Sequence, residues 1–92
     1  MKNTNTVKAM EMMPRLLEHF RAGRLEYNMG DLKCAKDHFN VIIGMFAVHD
    51  ELNHLPEATM LYRETIQLLG DTFLAEHDFD SYLRCVKLFY SI

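Results

Sequence analysis

The sequence predicts an all-α fold of about four antiparallel helices in a single domain spanning 1–92. Four segments repeat their apolar residues at steps of three and four, as amphipathic helices do. No segment alternates apolar and polar residues for long enough to form a strand. A chain of 92 residues is also long enough for only one domain. Together these observations predict hairpin one at about 7–47, a linker at about 48–55 and hairpin two at about 56–91.

The first helix is predicted at about 7–29. Its apolar residues recur at steps of three, four or seven, and they are Met10, Met13, Leu17, Phe20 and Tyr27. Pro14 lies inside this pattern, and an internal proline removes a hydrogen bond and clashes with the preceding turn. We therefore expect the main helix to begin near Met13, with Pro14 in its first turn and a frayed or kinked extension before it.

The second helix is predicted at about 31–47. Gly30 suits the end of the first helix, and Asp31 is a good N-cap for the second. The apolar stripe of this helix consists of Leu32, Ala35, Phe39, Ile42 and Phe46. Further apolar residues flank the stripe, so we expect this helix to sit centrally between its neighbours.

The second hairpin follows a polar linker that ends at Pro56. A third helix is predicted at about 56–76, with a stripe of Ala58, Tyr62, Ile66, Leu69 and Phe73. A fourth is predicted at about 79–91, where Asp78 is the N-cap. The stripe of this last helix consists of Phe79, Tyr82, Val86 and Phe89.

Composition excludes some partners and favours others. The formal net charge is -3 and the ten Lys and Arg residues form no basic run, which argues against nucleic-acid binding. Hydrophobic residues make up 49% of the chain, a large supply for its length. This surplus either fills a small core or leaves apolar surface that needs a partner protein.

The cellular compartment is predicted from the isolated cysteines and from the absence of a long apolar run. Cys34 and Cys85 are isolated, which is typical of buried thiols in a reducing compartment, although one disulfide stays open. The longest apolar run, residues 41–48, is too short to cross a membrane, and the first residues have no secretory apolar region. We therefore expect a soluble, cytoplasmic protein without membrane insertion.

Two windows of the chain align without a gap. Residues 22–42 match residues 69–89 at an offset of 47 residues, which places Gly23 on Gly70. In the same alignment Gly30 falls on His77, Asp31 on Asp78 and Ala35 on Tyr82. The alignment indicates two copies of one helix–turn–helix unit.

The unit resembles the tetratricopeptide repeat, which has a glycine in its first helix, a tight turn, then a small residue and an aromatic one. Gly23, Gly30, Ala35 and Phe39 fall on those positions. The offset of 47 residues exceeds the family's repeat of about 34, so the helices are longer or the linker carries an insertion. The resemblance implies two stacked hairpins, no catalysis, and a concave surface that holds a peptide.

The same resemblance places the concave surface on the first helix of each hairpin. It implies that the partner-binding residues are Phe20, Arg24, Tyr27, Tyr62, Ile66 and Phe73. The alternative is that most of these side chains simply form the core. Separately, the apolar C-terminal residues predict that Leu88 and Tyr90 contact a partner chain or a second copy, because a terminal helix normally presents a polar outer face.

A catalytic or metal-dependent role is not expected. His49 and His54 lie in the linker five residues apart, which does not match the spacing of a helical metal pair. The chain has no glycine-rich phosphate loop, and neither cysteine lies in a nucleophile pattern. We therefore predict no enzyme activity, no catalytic or metal-binding residues and no cofactor.

The favoured function is an adaptor or chaperone that masks an apolar helical segment of another protein. In size and helical content the chain also resembles a group of bacterial type III secretion chaperones, which implies a small helical co-chaperone or a secreted needle subunit as partner. Two alternatives remain open: a self-associating structural or regulatory module, with a homo-oligomer, and, with least support, a small metal-dependent enzyme.

Overall fold

The computed structural model describes residues 4–92, and these residues form an all-helical protein without strands. The four α-helices are α1 (Thr4–Asn28), α2 (Leu32–Val48), α3 (Pro56–Ala75) and α4 (Phe79–Tyr90). A short 3-10 helix (Asp50–His54) lies between α2 and α3. The all-α prediction is confirmed, and the ends of α2, α3 and α4 lie close to those predicted.

Helix α1 differs from the prediction because it runs without interruption through Pro14. The expected start near Met13 was wrong. Pro14 is exposed, whereas Ala9 and Leu16 on either side of it are fully buried in the same core cluster. Packing on both sides of the proline therefore holds one continuous helix, and it outweighs the lost hydrogen bond.

The segment predicted as a polar linker also contains a buried residue that packs in the core. Its 3-10 helix carries Leu52, which is fully buried and packs in the same cluster as Ala9 and Leu16 of α1. Leu52 is the single apolar residue among the five of the 3-10 helix, which is a weak sequence signal, so the sequence does not reveal this contact. Leu52 fixes the path of the chain from α2 to α3.

The core consists of two clusters that share α3. Helix α1 packs most extensively on α2, and α4 packs on α3, while α3 also contacts both α1 and α2. The first cluster contains Ala9, Leu16, Phe20, Ile42, Met45, Phe46, Leu52, Ala58 and Leu61. The second contains Ala35, Phe39, Ile66, Leu69 and Cys85. Tyr62 and Leu68 of α3 pack against both clusters, so α3 joins them.

The turns that end α1 and α3 have the same geometry. Gly30 and His77 are both in the left-handed region, with φ values of 84° and 60°. In each turn the amide of the following aspartate donates to a carbonyl five residues earlier, Asp31 to Glu26 and Asp78 to Phe73, both at 2.9 Å. This is the Schellman helix ending, and its presence at aligned positions supports the internal repeat.

Each turn also starts the next helix in the same way. The Asp31 side chain accepts a hydrogen bond from the backbone amide of Cys34, and Asp78 accepts one from Ser81. Asp78 additionally accepts a hydrogen bond from the Ser81 hydroxyl at 2.7 Å. These two hydrogen bonds, the hydroxyl's first, lower the pKa of the Asp78 carboxyl. Both predicted N-caps are therefore confirmed.

The two aligned glycines lie where helices approach each other, but with different clearance. A Cβ atom on Gly23 would lie 2.7 Å from Cε1 of Phe39, which is too close for any real contact. A Cβ atom on Gly70 would lie 3.4 Å from the Cβ of Cys85, an ordinary van der Waals distance. Gly23 is therefore required by packing, whereas Gly70 is not.

Because the turns at Gly30 and His77 share one geometry, removing glycine from the first and introducing it into the second should change stability in opposite directions. Gly30→Ala should lower the free energy of unfolding by about 1 kcal/mol, because the left-handed conformation is unfavourable for a residue that has a Cβ atom. His77→Gly should leave stability unchanged or raise it by up to about 1 kcal/mol, because it relieves the same cost. Urea unfolding followed by circular dichroism measures both, and equal effects of the two changes would contradict the shared geometry.

The two helix crossings predict a second contrast. Gly23→Ala should destabilise the protein by about 1–3 kcal/mol, because the Phe39 ring must move in a packed core. Gly70→Ala should be neutral or stabilising by up to about 1 kcal/mol, since alanine favours the helix and the space exists. Thermal unfolding of the two variants tests this difference, and a greater loss of stability for Gly70→Ala would refute it.

Candidate protein-binding groove

A groove of about 620 Å³ lies along α3 and α4, with one residue of α1 at its side. We call it the α3–α4 groove. Its lining residues are Arg24, Glu64, Ile66, Gln67, Leu68, Gly70, Asp71, Tyr82, Cys85, Val86, Phe89 and Tyr90. This set combines an apolar side formed by α4 with polar residues of α3.

Two of the α4 residues in the groove, Val86 and Tyr90, belong to a row of apolar residues that we call the α4 stripe. Phe79 and Leu83 continue this row along α4 outside the groove. Steps of four, three and four residues place these side chains on one face of the helix. Phe79 is 55% exposed, Leu83 54% and Tyr90 81%, and Val86 is half-buried. Large apolar residues in an unbroken row on one helix face mark an interaction surface more often than scattered ones do.

The opposite face of α4 holds the helix on α3. Ser81 and Cys85 are buried, and Cys85 belongs to the second core cluster. Burial raises the pKa of the Cys85 thiol. Near the end of α4, Arg63 of α3 lies 5.9 Å from the Phe89 ring centroid and donates to the carbonyl of Ile92. The orientation of α4 is thus fixed from its buried side, which leaves the α4 stripe outward.

The α3 side of the groove is polar. Glu64, Gln67 and Asp71 are exposed, and neither carboxylate forms an ion pair with another residue in the range 4–92. Arg24 of α1 lies at the edge, with its guanidinium 5.7 Å from the Phe20 ring centroid. The floor between the two sides includes Ile66, which is 1% exposed.

The equivalent face of α2 is covered by the protein itself. At the offset of the internal repeat, the α4 stripe corresponds to Leu32, Lys36, Phe39 and Ile43 of α2. Phe39 is fully buried with Ile66 and Leu69 of α3, and Ile43 packs on the same cluster. Lys36 forms an ion pair with Glu76 just past the end of α3, at 2.6 Å. Helix α3 therefore covers Phe39 and Ile43 of α2, whereas their counterparts on α4 are the half-buried Val86 and the exposed Tyr90.

The residues predicted from sequence to bind a partner fall into three groups. Arg24, Ile66 and Tyr90 line the α3–α4 groove. Phe20 is 6% exposed and belongs to the first cluster, although it borders a smaller depression on α1 that also includes Arg24. The remaining four, Tyr27, Tyr62, Phe73 and Leu88, are half-buried and pack against the core clusters.

The half-buried aromatic residues have clear structural roles. The ring of Tyr62 stacks on Phe46 at a centroid distance of 4.2 Å, and burial raises the pKa of its hydroxyl. Phe73 lies beneath the Lys36 ammonium, 5.4 Å from the ring centroid. A partner-binding role for these residues stays a prediction, and the core role that the sequence left open is the one their contacts support.

Other titratable groups form smaller contacts outside the groove. Nδ1 of His19 lies 3.0 Å from Nδ1 of His38, and Nε2 of His38 lies 3.5 Å from Glu26. Among residues 4–92, no three His, Cys, Asp or Glu side chains are placed together in a way that could hold a metal ion. No helix in this range combines the length and apolar character needed to cross a membrane.

Comparison with known protein families, with curated proteins and with solved structures finds no match for this chain. Its function must therefore be inferred from the groove and the α4 stripe.

Proposed function

We propose that this protein is a non-catalytic adaptor or chaperone that binds an amphipathic helix of another protein in the α3–α4 groove. One observation carries the proposal: the α4 stripe is exposed, whereas the equivalent face of α2 is covered by α3. A helix that docks on α4 as α3 docks on α2 would bury the stripe. Helix-in-groove binding of this kind is a common mode of peptide recognition.

The proposal includes the architecture of two stacked tetratricopeptide-like hairpins. It is supported by the matched turns at Gly30 and His77, by the matched N-caps, and by glycines at both helix crossings. In such a stack each hairpin presents a face to the next layer. The partner helix would then act as the start of a third layer.

Burial of the exposed stripe would supply part of the affinity. Complete burial of a large apolar side chain contributes about 1.5–3 kcal/mol, and the stripe offers the exposed parts of Phe79, Leu83 and Tyr90. Association opposes this gain by about 4–15 kcal/mol, so apolar surface on the partner must supply the rest. The balance favours a partner whose own apolar helix is costly to expose, as expected for the client of a chaperone.

Several narrower expectations from the sequence stay predictions. They are a cytoplasmic location, a type III secretion needle subunit as client and a small helical co-chaperone as partner. Self-association is the second candidate function, and the exposed α4 stripe also supports it, because two copies could bury their stripes against each other.

Two valines provide a matched test of the proposed surface. Val86 lies in the groove and Val48 is 76% exposed at the end of α2, outside the groove. Val86→Glu, alone or with Tyr90→Ser, should abolish partner binding, because a charge would be placed in an apolar contact. Val48→Glu should leave binding intact. Leu88 is avoided, because it packs on the second cluster and its change to Ser would test folding instead.

The measurement is size exclusion with light scattering on each variant purified gently from its native cells, with identification of every component. The proposal predicts a complex for the unchanged protein and for Val48→Glu, and a folded, unbound chain for Val86→Glu. Equal complex formation by both valine variants would remove the groove as the binding site. A homodimer lost only in Val86→Glu would establish the self-associating module.

A further inference from the structure

We propose that the partner helix carries basic residues about two turns apart along one flank, which face Glu64 and Asp71 while its apolar stripe lies on α4. This inference rests on the proposed function and adds the chemistry of the partner. It takes the partner to be a different protein and argues against a second copy of this chain stacked head to tail.

The two walls that face a docking helix differ in chemistry. Where α3 docks on α1 and α2, most of the α1 wall is apolar: Met13 and Leu17 pack against the first cluster, and Phe20 belongs to it. The exposed Arg24, which corresponds to Asp71, lies at the edge of this wall. At the repeat offset, Leu17 corresponds to Glu64 and Phe20 to Gln67. The wall that a partner helix meets is therefore polar on the α3 side and apolar only on the α4 side.

The charges on this polar wall are placed to select a basic helix. Glu64 and Asp71 are seven residues apart on one face of α3, which separates them by about 10 Å along the helix axis. Both line the groove, and neither is ion-paired among the described residues. A partner helix lying alongside α3 would match them with Lys or Arg at a similar spacing.

The contact between Lys36 and Glu76 provides an internal example of this recognition. There a lysine of α2 pairs with a carboxylate just past the end of α3, at the border of the buried apolar face. On α4 the residue at the position of Lys36 is Leu83, which is 54% exposed. Beside the α3–α4 groove the apolar row thus continues along α4 through Leu83, and the charged residues available to a partner are those of the α3 wall.

A second copy cannot dock head to tail in the same way. The α3 face that docks on the first hairpin includes Ala58 and Leu61, both buried. The α1 residues at equivalent positions are Glu11 and Pro14, both exposed, and the neighbouring Arg15 is exposed as well. A second copy would therefore present Glu11 and Pro14 where α3 presents Ala58 and Leu61, although Val7 and Met10 of α1 are exposed apolar residues.

Two synthetic peptides test the charge requirement. Each is an amidated amphipathic helix of about 18 residues, five turns long, with Leu and Ala at every third and fourth position. One carries Lys at two flanking positions seven residues apart, and the other carries Glu at the same positions. Binding to the full chain is measured by fluorescence anisotropy of the labelled peptides at low and high salt.

The Lys peptide should bind about tenfold or more tightly than the Glu peptide, and salt should reduce this difference. The double variant Glu64→Lys with Asp71→Lys should reverse the preference. These surface changes leave the core untouched, and circular dichroism of the variant checks that it is folded. A reversed preference would assign recognition to these two carboxylates.

The other outcomes separate this inference from the proposed function. Equal binding of the two peptides, weakened in both cases by Val86→Glu, would overturn the charge requirement and leave the helix-binding groove in place. Absence of binding by both peptides, or binding unaffected by Val86→Glu, would overturn both. A homodimer by light scattering that dissociates in Val86→Glu would also overturn both and make α4 a self-association surface.

Discussion

The packing of α3 is the constraint on which the rest of the structure depends. An amphipathic helix in water must cover its apolar face, and a chain of this length has few helices with which to do so. Helix α3 covers α1 and α2 at once and supplies the side chains, Tyr62 and Leu68, that join the two core clusters. Helix α4 packs on the remaining face of α3 and adds Cys85 to the second cluster. Once α3 is used in this way, none of residues 4–92 forms a further helix that could cover α4 as α3 covers α2.

This arrangement explains why the groove has two kinds of wall. Where α3 packs on α1 and α2, the walls are mostly apolar because they form the core, and the charged Arg24 lies at the edge. In the second hairpin the α3 wall faces solvent and carries Glu64 and Asp71, whereas α4 keeps the apolar stripe that its position in the repeat would place against another helix. The polar wall limits the apolar area that is exposed without a partner. In the proposed function, the stripe is the surface that a partner helix buries.

Much of the fold could be predicted from the sequence, because helical periodicity, capping aspartates and turn glycines act locally. The sequence also matched His77 with Gly30, and the positive φ at both positions agrees with that match. Pro14 was misjudged because the packing of Ala9 and Leu16, which keeps α1 continuous, depends on distant residues. Leu52 was missed for the same reason.

On α4 the predicted stripe included Phe79, which is exposed, whereas Ser81 and Cys85 form the buried face. A helix with apolar residues on two faces does not itself reveal which face meets the core, so Leu83 and Val86 were not assigned to the binding surface.

The proposed contact joins the α4 stripe to a helix of a different protein. A photoreactive amino acid placed at Leu83, in the middle of the stripe, tests this contact most directly when the chain is expressed in its native cells. The same substitution at Val48 provides a control at an exposed apolar position outside the groove. We expect a cross-linked product at position 83 that contains one other protein and is absent at position 48. A product of twice the chain's mass at position 83, or the same products from both positions, would contradict it.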